Sequence, residues 1–280
     1  MSRKISRFLP LQYAARGKRD PDAGLPFFMD NIGDDLVIIL LAFVPLSPAP
    51  LAAALAIISL HFSLWCIYEI GYYENDQVAV NHERSGQVPV GFSAFGEGYS
   101  VTLAMGWGIL LGALGIAFVL WSGAFYLSGR GAVAFIGAAL LWTAALFALR
   151  WLFRFYNHID KMSRVFIYLP LQLFKYGFPA LFFTLPAAGV ALVFSQICRR
   201  WMPYLIYRYL GKEPGGFPAR LIRLLVFSAL WLLLLPSNPE WGFVLHGALI
   251  MAWLFFRGLS QINAVRTNMR HVTEDDWNNE

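Results

Sequence analysis

Asn75-Asp76, followed within about two helical turns by Glu83-Arg84, carries the oxygen chemistry that suits a hard cation. Mg2+ binds through one or two carboxylates and fills its remaining positions with water and phosphate oxygens. Asp76 and Glu83 are the candidate carboxylates and Asn75 the candidate neutral ligand, giving the metal set Asn75, Asp76 and Glu83. A helix that continues past Asp76 brings Glu83 back toward the face of Asn75. The same residues have a plainer use, since Asn-Asp at a membrane helix end marks a polar boundary and Glu83-Arg84 forms a solvated pair.

A metal-bound phosphate needs more positive charge, which Arg supplies through bidentate donors and Lys as a point charge. Arg154, Lys161, Arg164 and Lys212 are the candidates, set against the ordinary excess of basic residues on the cytoplasmic face. Inside the apolar runs stand Glu69 and Lys175, and a charge at that depth persists for a function or for a specific partner. They either serve a cavity or pair with each other across the bundle. His61, Trp65, Glu69, Tyr72 and Asp76 recur at three- and four-residue steps, a stripe that would line a central cavity leading to the loop. His246 and Tyr168 read as ordinary polar contacts between helices.

The elements that must hold these groups are membrane helices. The chain is 58% hydrophobic, 16% aromatic and 14% charged, with a mean hydropathy of +0.54, so most of its solvent is lipid. Nearly all of the 22 Lys and Arg fall into five basic segments. Keeping those segments cytoplasmic makes each apolar stretch between them cross and return. The expectation is an all-α, polytopic transmembrane bundle of about eight spans in four hairpins: 35–48 with 50–73, 98–122 with 131–150, two shorter pieces in 165–198, and 221–236 with 240–258. Pro179 and Pro186 are expected to break the third hairpin, which is too short for two full spans of ~20 residues. The organisation reads as a basic cytoplasmic arm (1–34), one transmembrane domain (35–258) and a polar cytoplasmic tail (259–280). The arm lacks the apolar core of a cleaved signal peptide. Cys66 and Cys198 have no metal-ligand spacing and read as packing residues. The segment 201–212 is basic and amphipathic, suited to lie on an anionic leaflet over the site.

Residues 37–89, with Leu40-Leu41-Ala42-Phe43-Val44-Pro45-Leu46 and a long apolar span ending in Tyr68, Asn75-Asp76 and Glu83-Arg84, resemble the opening of the UbiA superfamily of intramembrane prenyltransferases. The similarity is closest to its polyprenyl-phosphate phosphoribosyltransferase branch. The first aspartate-rich motif of that family reads N-D-x-x-D-x-x-x-D. Here Asn75 and Asp76 match it, Glu83 stands at the last acidic position and Ala79 replaces the middle acid. Tyr156-Asn157 with Lys161 and Arg164 resembles a Tyr- and Lys-bearing cytoplasmic segment of the family. A second aspartate motif is absent from 198–220, and Asp160 stands alone.

The resemblance implies a Mg2+-dependent transferase acting on a polyprenyl phosphate or diphosphate, with loss of diphosphate. It assigns Asp76, Glu83 and Lys161 to catalysis, and Glu69, Tyr72, Arg84, Tyr156, Asn157, Arg164 and Lys175 to substrate binding. The implied partners are a polyprenyl lipid and the bilayer of a bacterial inner membrane, with both termini cytoplasmic and no nucleic acid. Two other readings remain open: a lipid or small-molecule transporter, or a noncatalytic partner that keeps the fold.

Overall fold

The computed structural model describes residues 10–14, 34–82, 92, 98–123, 131–211 and 217–268, and none of these lies in a strand. Among them are eight α-helices: α1 (Asp34–Phe43), α2 (Pro50–His82), α3 (Val101–Ser122), α4 (Ala132–His158), α5 (Arg164–Gly177), α6 (Ala187–Leu210), α7 (Ala219–Leu234) and α8 (Trp241–Asn268). Their starts lie within three residues of those expected for the hairpins, but α2, α6 and α8 run past the expected ends at 73, 198 and 258, and α6 takes in most of the segment 201–212 expected to lie on the leaflet. Five stretches, α2, α3, α4, α8 and α7 together with the 3-10 turn Leu235–Ser237 that continues it, are long and apolar enough to cross a membrane. The protein is an all-helical integral membrane protein. α1 and α5, with 10 and 14 residues, are shorter than the ~20 a full crossing needs. α6 has the length but carries Arg199, Arg200 and Arg208.

Backbone chemistry sets the breaks between these helices. Ser100 caps α3 by accepting the Leu103 N–H at 3.2 Å, and Gly123 ends it at a φ of 67°, a conformation that costs glycine nothing. α5 gives way to a 3-10 turn, Phe178–Leu181, that contains Pro179, and α6 begins directly after Pro186. The third hairpin is therefore interrupted, as its two prolines imply.

α2 is the axis of the bundle. Its apolar window is 72% buried, against 17% to 33% for the other four candidate spans. At 33 residues it is about 50 Å long, well beyond a hydrocarbon core of ~30 Å, so its last turns stand clear of the apolar layer. α3 lies along it through Gly108, Gly112 and Gly115. A Cβ on Gly115 would meet Leu60 Cγ at 2.6 Å and Leu60 N at 3.1 Å, and one on Gly112 would meet Trp142 Nε1 at 2.7 Å. Small residues let the helix backbones approach, which drives association where both partners already sit in lipid. Ser63 donates its hydroxyl to the Gly108 carbonyl and accepts from Trp142 Nε1 at 3.0 Å, tying α2, α3 and α4 together. The second half of the bundle gathers around α6, which packs on α1, α5, α7 and α8. The C-terminal ends of α2, α4 and α6 and the start of α5 converge at one end, around a shared cavity.

Overpacking this seam should cost about 1–3 kcal/mol. Gly115→Leu is expected to lower the unfolding temperature in detergent, whereas Gly106→Leu, with nothing within 4 Å of its added Cβ, should leave it unchanged. Equal effects of the two would show that the close approach of α2 and α3 does not carry stability.

Candidate functional site

The cavity at the convergent end encloses about 510 Å³. α2 lines it with Tyr68, Tyr72, Asn75 and Ala79, and α4 with Phe153, Tyr156 and Asn157. Lys161 from the α4–α5 turn, Arg164, Tyr168 and Leu171 of α5, and Tyr207 and Arg208 of α6 complete the wall. Tyrosines and three cations thus share the lining. Tyr156 and Tyr204 share a hydroxyl hydrogen bond of 2.7 Å, and Tyr204 packs on Tyr168 with ring centroids 4.4 Å apart. Arg208 donates Nε to the Tyr204 hydroxyl at 3.0 Å and lies over the Tyr204 and Tyr207 rings. Arg164 serves the turn: its Nε donates to the Ile159 carbonyl at 3.2 Å and its Nη2 to the Asn157 carbonyl at 3.1 Å. Asn157 donates Nδ2 to the Gly71 carbonyl at 3.1 Å, which leaves its buried Oδ1 without a hydrogen-bond partner at the cavity wall.

Six sequence-predicted residues, Tyr72, Asn75, Tyr156, Asn157, Lys161 and Arg164, are therefore brought together from helices far apart in the chain. Arg154 is exposed near the end of α4 and does not line the cavity. Asp160 is no substitute for a second acidic motif. Its Oδ1 accepts the N–H groups of Met162 and Ser163 at 3.0 and 2.9 Å, and hydrogen bonds from Ser163 hold its carboxyl below the usual aspartate range. Its work is to shape the turn that presents Lys161. Glu83, Arg84 and Lys212 lie outside the described residues.

The stripe expected along α2 divides in two. Successive helix residues are 100° apart, so Glu69 and Asp76, seven residues apart, share one side, while Tyr68, Tyr72, Asn75 and Ala79 share the neighbouring one. Only the second set faces the cavity. Glu69 and Asp76 instead hold residues 10–14. Glu69 accepts the N–H of Leu11 at 3.1 Å and of Ala14 at 2.9 Å, and Asp76 accepts the Tyr13 hydroxyl at 2.7 Å. Leu11, Tyr13 and Ala14 are almost wholly buried, so part of the stretch expected as a basic cytoplasmic arm packs into the bundle. Leu11 adopts a φ of 69°, a left-handed conformation costing about 1–2 kcal/mol that the two bonds to Glu69 offset. Asn75 Nδ2 reaches back to Asp76 Oδ1 at 3.3 Å and links the two sides.

Below the floor of the cavity lies a layer of buried charge. Gln172 donates to the Tyr68 hydroxyl at 3.2 Å, and Lys175 sits 4.7 Å from the Trp65 ring centroid. The partner of Lys175 is Asp35, at 2.6 Å, in place of the Glu69 that sequence reasoning offered as one possibility. Asp35 also accepts from Arg200 and Gln196 and from the Tyr176 hydroxyl. Its neighbour Asp34 binds Arg199, Arg223 and Arg257 at 2.8, 3.1 and 3.2 Å. Asp34, Asp35, Gln196 and Arg223 escaped the sequence reading, which placed a domain boundary at residue 34. The signal was there in the form of unmatched arginines inside apolar stretches, which require acidic partners.

Glu69→Gln removes the charged acceptor that holds residues 10–14, with an expected loss of about 1–3 kcal/mol. Limited proteolysis should then cut ahead of residue 14 faster than in the wild type. An unchanged cleavage rate would mean that Tyr13 and its aromatic neighbours hold the segment without Glu69.

Comparison with family models, curated proteins and solved structures gave no match to this chain.

Proposed function

We propose that the protein is a Mg2+-dependent transferase of the UbiA type, acting on a polyprenyl phosphate or diphosphate lipid with loss of diphosphate. The observation that carries this reading is the meeting of Asn75 and Tyr72 with Tyr156, Asn157, Lys161 and Arg208 around one cavity at the end of apolar helices. A lipid with a phosphate head demands such a place, where an apolar surface meets concentrated positive charge. In this reading all eight helices are embedded, the cavity faces the cytoplasm of a bacterial inner membrane, and both termini lie on that side.

No group of three or more His, Cys, Asp or Glu suited to a metal occurs among the described residues. The donor chemistry still fits Mg2+, which needs only one or two carboxylates when phosphate oxygens and water complete its shell. Asn75 lines the cavity, whereas the Asp76 carboxylate accepts the Tyr13 hydroxyl on Oδ2 and Asn75 Nδ2 on Oδ1, so it would serve Mg2+ only by exchanging those bonds. Mg2+ bound there would neutralise charge on the departing diphosphate. Lys161 and Arg208 offer positive charge at the mouth for the phosphate oxygens. Tyr68, Tyr72 and Tyr156 present ring faces that favour cationic character on the reacting carbon as its bond to oxygen breaks.

The interrupted helix α5 and the charge layer beneath the cavity favour a second reading, transport of a phosphorylated lipid or small molecule. A product assay in nanodiscs separates the two, with polyprenyl phosphate and phosphoribosyl diphosphate in one arm and prenyl diphosphates with candidate acceptors in the other, read by mass. A new lipid is expected only with Mg2+, falling about 100-fold in Asp76→Ala and markedly in Lys161→Gln. No product from folded protein in either arm, together with flux of unchanged lipid, would replace the transferase by the transporter.

A further inference from the structure

Asn157 carries an acceptor that the fold leaves unused on the cavity wall. It stands in the last turn of α4 and is 1% exposed. Its Nδ2 donates to the Gly71 carbonyl of α2 at 3.1 Å, and its backbone carbonyl accepts Arg164 Nη2 at 3.1 Å. The Gly71 carbonyl fixes which way the amide lies, because turning it over would set oxygen against oxygen. Oδ1 is therefore held on the other side, buried and with no hydrogen-bond partner among the described residues. Buried polar atoms are satisfied by protein, ordered water or ligand, since an unpaired one has given up its hydration for nothing. Here the amide lines a cavity of about 510 Å³, within the ~300–1,000 Å³ range of small-molecule sites. A phosphate group fills only a part of that volume.

The same wall offers the complementary function. Tyr68, one turn before Gly71, also lines the cavity, and its hydroxyl accepts Gln172 Nε2 at 3.2 Å. The hydroxyl's own proton stays available to donate. Phe153, one turn before Asn157, packs edge-on against Tyr68 with ring centroids 4.4 Å apart. The Tyr68 hydroxyl and the Asn157 amide thus come from adjoining levels of the wall that α2 and α4 build. An alcohol both donates and accepts, which matches that pair. An ammonium donor would suit Oδ1 but would meet like charge in a lining that holds Lys161, Arg164 and Arg208.

We infer that Asn157 Oδ1 is a ligand-binding acceptor that selects, among phosphorylated molecules, those carrying an alcohol hydroxyl close to the phosphate, as polyol and sugar phosphates do. The hydroxyl donates its proton to Oδ1 and accepts from Tyr68, while the phosphate meets Lys161 and Arg208. The inference rests on the proposed function only for the phosphate headgroup, and it needs neither the transfer step nor Mg2+.

The test is binding of small probes to full-length protein in neutral detergent, read by calorimetry. Glycerol phosphate is compared with propyl phosphate, and ribose phosphate with tetrahydrofurfuryl phosphate, the same skeletons without hydroxyl groups. The wild type should bind each hydroxylated probe about 10-fold tighter than its counterpart, the value of one hydrogen bond to a buried acceptor otherwise unpaired. In Asn157→Leu that ratio should fall to about one. Asn157→Asp keeps an acceptor oxygen and gives up the bond to Gly71, so it should retain the preference while unfolding at a lower temperature. A purely structural Asn157 would instead give one ratio in all three proteins. Inorganic phosphate, which has no alcohol, should bind more weakly to Arg208→Gln, and this arm tests the phosphate reading by itself. Equal affinities for the paired probes in the wild type would overturn the inference and leave Oδ1 to an ordered water. So would a preference that survives in folded Asn157→Leu, or no binding of any probe to folded protein. Product formation in nanodiscs without hydroxyl preference keeps the proposed function and removes this inference, whereas preference without product does the reverse.

Discussion

Two adjacent aspartates at the start of a ten-residue helix face five cations drawn from four other segments of sequence, inside a bundle whose outer surface is apolar. In water such contacts would be worth little. Away from water each charge depends on the others, and removing one partner strands the rest. The position of α1 against α6 and the entry of α7 and α8 bring those charges together. Gly189 has the same role at closer range, since the absence of a Cβ makes room for the Ala42 carbonyl and lets α1 lie against α6.

The other half of the molecule is held by different physics. α2, α3 and α4 carry few charges between them, and their association rests on glycine surfaces and on the Ser63 hydroxyl that bridges Gly108 and Trp142. The one ion pair that crosses from α2 to α4, Glu74 with Arg150 at 2.6 Å, lies toward the polar end and is partly exposed. Shape complementarity does there what charge does around α6.

Helix positions were legible because apolar runs, prolines and basic segments are local signals. The ends of α3 at Gly123 and of α6 at Gly211 follow from glycine's freedom at positive φ. The cavity wall was legible in part. Asn75 stood out at a helix end, Lys161 as a basic residue beside the membrane and Tyr156-Asn157 through the family resemblance, and the fold brings them together. Which way each side chain faces was not legible. Asp76 and Asn75 are neighbours in sequence and point to different surroundings, one to Tyr13 and the other to the cavity, because one residue turns a helix by 100°. Pairings such as Asp35 with Lys175, 140 residues apart, depend on tertiary arrangement that no local pattern records.

The tyrosine-lined cavity lies along the join between these two halves, with one wall from α2 and α4 and the other from α5 and α6. The salt bridges below it belong to the α6 half or reach it through α1. What spans the join near the cavity is softer: the Tyr156 to Tyr204 hydroxyl contact, the Gln172 to Tyr68 bond and the Lys175 ammonium over aromatic rings. Moving the halves apart there by a few tenths of an ångström therefore breaks no ion pair between described residues. The volume available to a bulky guest is bounded by tyrosines that both halves contribute, so it depends on how the two walls meet rather than on either wall alone.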